Sequence, residues 1–243
     1  MRTSGNEYKA LNRAIGKAIH DYDMIRDGDR ILVGLSGGAD SLSLLWMLAE
    51  RRRRIPIRYD LEAAYLDPGF DGGAAEALKP FCDRLGVPLW SERTDYGLIS
   101  HSPANRENPC FLCAHLRRKR LFEIAAETNC NRLALGHNKD DLIETLFLNM
   151  CFSGEISTMR PAQVLFQGRF TVMRPLAYAD QMLVRRFATG YRFPVVENPC
   201  PSAGRSRRAE VKSLLHELYR SNRKIKGNIF RSMRNVRAEY LLK

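Results

Sequence analysis

The 243-residue chain predicts an α/β fold: a doubly wound, parallel, five-stranded sheet of Rossmann-like type with a leading helix and a helical C-terminal extension. Three observations predict it. Short apolar runs of strand length recur at Ile31–Leu35, Leu61–Leu66, Val87–Trp90, Leu133–Gly136 and Phe170–Met173. Longer segments with helical spacing separate them, and this alternation implies crossovers between parallel strands. Finally, a turn of small residues, Ser36 to Ser41, sits at the first strand-to-helix junction, on the carboxyl edge where such sheets bind ligands.

In chain order, Tyr8 to Tyr22 carries Leu11, Ala14, Ile15, Ala18 and Ile19 on one helical face. The first strand follows, then an amphipathic helix to about Arg54. The second strand ends in Asp67-Pro68-Gly69. A helix over Ala74–Leu85 stops at Gly86, the expected terminating residue. After the third strand, Asp95–Pro109 is a polar connector. Cys110–Asn129 is a long helix, and Lys139 to about Phe152 is another beyond the fourth strand. Past Tyr178 the pattern loosens into a helix at Gln181–Thr189, a short segment at Pro194–Glu197 and basic helices. The expected division is therefore 1–178 for the sheet domain and 179–243 for a basic extension docked on it.

In Val33-Gly34-Leu35-Ser36-Gly37-Gly38-Ala39-Asp40-Ser41, two adjacent glycines let the backbone approach a ligand closely. N–H groups then point outward at a helix N-terminus, where the helix dipole favours an anion, and Ser36 and Ser41 add hydroxyls. The pattern is a phosphate cradle. It lacks the lysine of G-x-x-x-x-G-K-[ST] and is not the dinucleotide G-x-G-x-x-G.

Composition narrows the class. An apolar fraction of 44% is that of a globular protein, and no run of about 18 apolar residues offers a membrane span. The N-terminus has no apolar signal-peptide core, which points to the cytoplasm, where six cysteines are better read as ligands or buried thiols than as disulfides. The net charge is +12, and nine of those charges lie between Arg205 and Lys243, where twelve Lys or Arg face Glu210, Glu217 and Glu239. Such a tail suits a polyanion or a solvated helix face.

Leu135-Gly-His-Asn-Lys-Asp-Asp-Leu-Ile-Glu144-Thr145 leaves the fourth strand and enters a helix, so it too opens at the carboxyl edge. Asp140 and Asp141 are hard-oxygen donors of the kind Mg²⁺ takes, and equally good first-turn residues for a helix. Asp67 ends the second strand on the same edge. Cys110-Phe-Leu-Cys113 places two thiols at a helix start, as a metal pair or a redox pair. Glu107-Asn108-Pro109-Cys110 recurs as Glu197-Asn198-Pro199-Cys200, so two similar approaches could lead to one centre. Cys82 and Cys130 fit buried positions, and Cys151 is the alternative third ligand.

Ser36-Gly-Gly-Ala-Asp-Ser41 resembles the S-G-G-x-D-S loop of the PP-loop ATP pyrophosphatases, and Gly136 to Thr145 resembles the second signature of their tRNA-modifying members. Together with Cys110/Cys113, Arg174-Pro175-Leu176 and Pro199-Cys200, in that order, most of the chain is similar to the tRNA 2-thiocytidine synthetases. The resemblance implies ATP cleaved to AMP and pyrophosphate, activation of an anticodon-loop cytidine at position 32, and replacement of its oxygen by sulfur. It implies a [4Fe-4S] cluster on Cys110, Cys113 and Cys200, with Cys200 also counted, beside Asp40 and Asp141, among the catalytic residues. ATP and Mg²⁺ would use Ser36, Gly37, Gly38, Asp40, Ser41, Gly136, His137, Asp140 and Asp141, with Tyr65, Leu66 and Asp67 around the adenine. The implied partners are tRNA and a sulfur donor, a cysteine desulfurase or sulfide; a homodimer is compatible with the chain. Two positions depart from the pattern: Ala39 stands where lysine is common, and Ala203 where a further cysteine often follows. A tRNA lysidine synthetase shares the first two signatures but needs no cluster. A non-enzymatic, metal-stapled nucleic-acid module would use the tail alone.

Overall fold

A computed structural model of the protein describes residues 5–71, 73–106, 108–197, 199–204 and 206–242. Glu107 and Asn198 of the repeated tetrapeptide lie outside the described residues, as do Arg205 and Lys243 at the two ends of the basic tail. Its contacts divide the chain into two compact units, residues 1–138 with 160–203, and residues 139–159 with 204–243. Residues 179–203 thus belong with the sheet, and the helix after the fourth strand belongs with the tail.

The first unit opens with α1 (Asn6–Asp21), then β1 (Asp29–Leu35), α2 (Ala39–Arg51), β2 (Tyr59–Asp67), α3 (Ala75–Leu85) and β3 (Leu89–Arg93). A short α4 (Tyr96–Ser100) precedes α5 (Pro109–Glu127) and β4 (Arg132–Leu135). After α6 (Lys139–Phe152), which is in the second unit, come β5 (Ala162–Leu165), β6 (Phe170–Met173) and α7 (Gln181–Gly190). The strand order is β3-β2-β1-β4-β6-β5, with all neighbours parallel except the antiparallel β5–β6 pair. The sheet therefore has six strands where the sequence predicts five. The connector after β3 is not wholly irregular either, since it holds α4.

Successive residues of a strand face opposite sides, and the two cores show it. Ile31, Val33 and Leu35 join Leu61, Ala63 and Tyr65 beneath α1, α2 and α7, while Leu32, Ala64 and Leu66 meet Leu121, Ile124 and Ala125 of α5 on the other side. Chain direction runs outward from β1 both ways, so the switch point lies between β1 and β4. Ligands in doubly wound sheets bind at the carboxyl ends of the strands flanking such a point.

The opposite edge is pinned by a buried ion pair. Arg132 Nε donates to Asp29 Oδ2 at 2.9 Å and its Nη1 to Thr171 Oγ1 at 2.7 Å, joining β1, β4 and β6. Asn131 Nδ2 also donates to Asp29, at 2.8 Å. Arg132→Met should destabilise the protein by about 3–5 kcal/mol, because it leaves Asp29 buried without its cation. Thermal unfolding should show a midpoint lowered by roughly 2–4 °C per kcal/mol; an unchanged midpoint would contradict the assignment.

The second unit packs α6 against α8 (Arg207–Ser221) and α9 (Ile225–Ser232). Its small core is Ile143, Val211 and Leu215, with Phe147, Leu218, Ile229 and Phe230 against it. Among the described residues, no helix is long and apolar enough to cross a membrane.

Candidate active site and cysteine cluster

β1 ends at Leu35, and the loop from Ser36 to Gly38 carries the chain into α2. Gly37 has φ +78°, a left-handed conformation that L side chains rarely adopt. The Ser36 amide donates to Ser41 Oγ at 3.1 Å, and Ser41 Oγ donates to Gly38 O at 3.1 Å. The Gly38 amide donates to Ser36 Oγ at 3.3 Å. These bonds hold the loop folded in advance. Gly38 contributes no side-chain cap to α2, and the positive end of the helix dipole favours an anion there.

β4 delivers its carboxyl end to the same place. A Cβ on Gly136 would stand 2.9 Å from the Ser41 amide nitrogen, so only glycine allows this approach of the second signature to the first. Asn138 is fully buried, and its Nδ2 donates to Asp40 Oδ1 at 3.2 Å. Sequence reasoning passed over Asn138, although it lies inside the Gly136–Thr145 stretch.

Ser36, Gly38, Tyr65, Leu66, Arg117 and Pro199 are among the residues lining a cavity of about 140 Å³. This is small beside typical ligand pockets of roughly 300–1,000 Å³, so it accepts part of a nucleotide. Tyr65 Oη accepts from the Ala74 amide at 2.9 Å, and burial pushes its phenol pKa up. Asp67 turns its carboxylate to the next turn, where Oδ1 accepts from the Gly69 amide at 2.9 Å. His137 is half-buried. Arg117 was also missed; its signal is helical spacing, one turn after Cys113. Beyond β6, Arg174 is 7% exposed, and its Nη1 donates to Arg160 O at 2.6 Å. Burial holds its pKa down to about 10, and Arg118 adds to the effect.

Cys110, Cys113 and Cys200 all lie in the first unit, with Cys110 and Cys200 near enough to Cys113 to act on its thiol. Asn108 caps α5 by accepting from the Cys110 amide at 2.9 Å, which sets Cys110 and Cys113 on the first turns. Burial pushes the Cys113 thiol up; Arg117 opposes this, and the neighbouring Cys200 and Cys110 add to it. Cys110 is exposed, Cys113 and Cys200 are half-buried, and none of them is in a disulfide, whereas Cys82 and Cys130 are buried. Burial pushes Cys82 to about 11, the behaviour of a packing thiol. Among the described residues, no three His, Cys, Asp or Glu side chains gather tightly enough to hold a single metal ion. One tetrahedral ion would draw its sulfurs to roughly 3.8 Å apart. Thiolates bound to different irons of a cluster stand wider than that, and cysteine thiols are the donors such a cluster takes.

The Val196 amide donates to Gly37 O at 3.0 Å, so the segment that leads to Cys200 also braces the phosphate loop. A PP-loop domain profile matches residues 7–218. The chain belongs to the PP-loop family. It is similar to the tRNA-cytidine(32) 2-sulfurtransferase of Geotalea daltonii, 41% identical over 97% of this chain and 94% of that one. That of Geobacter sulfurreducens is 40% identical over 97% and 93%. Among solved structures, the U34-tRNA thiolase NcsA of Methanococcus maripaludis, with its [4Fe-4S] cluster, matches at TM-score 0.78 and 25% identity, covering 97% of this chain and 80% of that one. The NH3-dependent NAD synthetase of Campylobacter jejuni matches at TM-score 0.52 and 15% identity, a likeness of fold.

In the second unit, the acidic residues at the start of α6 are engaged by the tail. Lys226 Nζ lies 2.6 Å from Asp140 Oδ1, and Arg208 Nη1 lies 3.8 Å from Asp141 Oδ1 and 3.1 Å from Glu144 Oε2. Burial pushes the Glu144 carboxyl up, Asp141 adds to this, and Lys212 and Arg208 oppose it. None of these ion-pair partners was visible in the sequence.

Proposed function

We propose that this chain is an ATP-dependent tRNA sulfurtransferase that converts cytidine 32 of the anticodon loop to 2-thiocytidine. The observation that supports the reading is a single segment: Val196 bonds the phosphate loop and, four residues on, Cys200 lies near Cys113. A nucleotide-activating loop and a thiol set are thus linked by one stretch of backbone.

In this reading the triphosphate rests on the loop from Ser36 to Ser41, with the α2 N-terminus stabilising its charge. The C2 oxygen of cytidine attacks the α-phosphorus, and pyrophosphate leaves. Adenylation is required because the base oxygen is a poor leaving group; once it is AMP, sulfur displaces it at C2. A [4Fe-4S] cluster held by Cys110, Cys113 and Cys200 would supply that sulfur. Asp40, oriented by Asn138, serves the nucleotide side. Asp140 and Asp141 are oxygen donors of the kind Mg²⁺ takes, and in this structure their cationic partners would have to yield to it. The protein's contribution is positioning and charge stabilisation. The same reading places the enzyme in the cytoplasm, as monomer or homodimer, with a desulfurase or sulfide restoring the sulfur.

Anaerobic purification tests this reading: brown protein containing iron and sulfide is expected, together with AMP and pyrophosphate formation that requires tRNA. Colourless protein that forms AMP would favour the lysidine-synthetase alternative, and brown protein inert toward ATP the binding module.

The tail is the proposed tRNA contact. Arg208 and Lys212 already serve Asp141 and Glu144, so the phosphate contacts are assigned to the exposed Arg223, Lys224 and Arg237. Reversing these three to glutamate should weaken tRNA binding and flatten the salt dependence by roughly 0.7–0.9 in log–log slope per lost contact. Filter binding across a salt series reads the slope, and an unaltered slope would return the charge to a solvated face.

A further inference from the structure

We propose that His101 is the positioning residue for Cys200, fixing the third thiolate relative to the pair on α5. The inference rests on the ligand reading above and adds a residue that neither the sequence motifs nor the comparisons assign. His101 follows α4, which packs on α5, the helix that begins with Cys110 and Cys113. Its Nδ1 lies 2.9 Å from Gly97 O. A carbonyl only accepts, so Nδ1 donates to it, and Nε2 is the ring nitrogen that faces the cysteine turn. Ser202 Oγ lies within hydrogen-bond distance of that nitrogen at 2.7 Å, and Cys200 Sγ lies 3.8 Å from it. The turn that carries both is closed by the Ala203 amide donating to Cys200 O at 2.9 Å.

The ring is itself held. It packs edge-on against Phe70, with centroids 5.5 Å apart, and the Gly97 amide donates to Pro68 O at 2.8 Å. Pro68 lines the nucleotide cavity, and so does Pro199, the residue before Cys200. His101 therefore ties the cysteine turn to α4, and through α4 to the end of β2 and to α5. Nothing in the sequence between Cys113 and Cys200 imposes a spacing on the thiols. This bond pair does.

Three variants test the role in the full chain: His101→Leu, which keeps bulk against Phe70 but accepts no hydrogen bond; His101→Gln, whose Oε1 can accept from Ser202; and Ser202→Ala. The first readout is iodoacetamide alkylation of the reduced, metal-free protein, resolved by peptide mass spectrometry. His101→Leu and Ser202→Ala should alkylate Cys200 roughly fivefold faster, the effect of losing about one hydrogen bond, and His101→Gln should restore the slow rate. Continued protection of buried Cys82 shows that the fold is intact. The second readout is iron bound after anaerobic reconstitution, which should fall in His101→Leu and recover in His101→Gln. Unchanged Cys200 alkylation in His101→Leu and Ser202→Ala, or accelerated alkylation with full iron content, would overturn the proposal. Full iron in Cys200→Ser would overturn the ligand reading beneath it, and is told apart because alkylation is measured without iron.

Discussion

Asp40→Ala is expected to abolish tRNA-dependent conversion of ATP to AMP, by at least about a hundredfold, while leaving iron content unchanged. Asp40 stands in the first turn of α2, and the buried Asn138 holds its Oδ1 at 3.2 Å. A carboxylate there has two readings with opposite signs. As a mere helix-start residue it would repel a bound triphosphate, and its removal would leave turnover intact or improve nucleotide binding. As part of the nucleotide site it orients the cation that accompanies the phosphates, so its removal lowers kcat. The cysteine set is built from α5 and the segment after α7 and does not include Asp40, so the cluster should survive. Pyrophosphate release and iron measured on one preparation decide the matter, and unchanged pyrophosphate formation contradicts the assignment of the loop.

Cys200→Ser is expected to lose most of its iron and all thiolation, matching Cys110→Ser and Cys113→Ser. Cys200 is half-buried and close enough to Cys113 to add to the upward push that burial gives its thiol. Cys82→Ser and Cys130→Ser should retain the cluster, with a packing cost from placing a hydroxyl in a buried site. Cys151 is exposed on α6, in the second unit. Iron analysis with the visible absorption of each variant checks the set. Dispensable Cys200 with essential Cys151 would show the third ligand to be wrongly chosen, and full activity in all three ligand variants would move the reading to cluster-free chemistry.

What the sequence disclosed was local chemistry. The phosphate loop, the strands β1 and β2 and the cysteine-bearing start of α5 follow from residues adjacent in the chain, and the structure forms each element. β5 escaped notice because Ala162–Leu165 is four residues long and has two exposed positions, too little for a period to declare itself. α4 escaped for the same reason, being five residues inside a polar stretch. Contacts between distant segments were beyond reach: no pattern signals that Lys226 will meet Asp140, Arg208 will meet Glu144, or Ser202 will meet His101. The repeated Asn-Pro-Cys was the one long-range hint, and both of its cysteines lie near Cys113.

The most direct test is nucleoside mass spectrometry of tRNA incubated anaerobically with the iron-loaded protein, ATP, Mg²⁺ and sulfide. The expected result is 2-thiocytidine at position 32, formed only with ATP and matched by AMP and pyrophosphate. Pyrophosphate release with no thiolated nucleoside, or thiolation that proceeds without ATP, would contradict it.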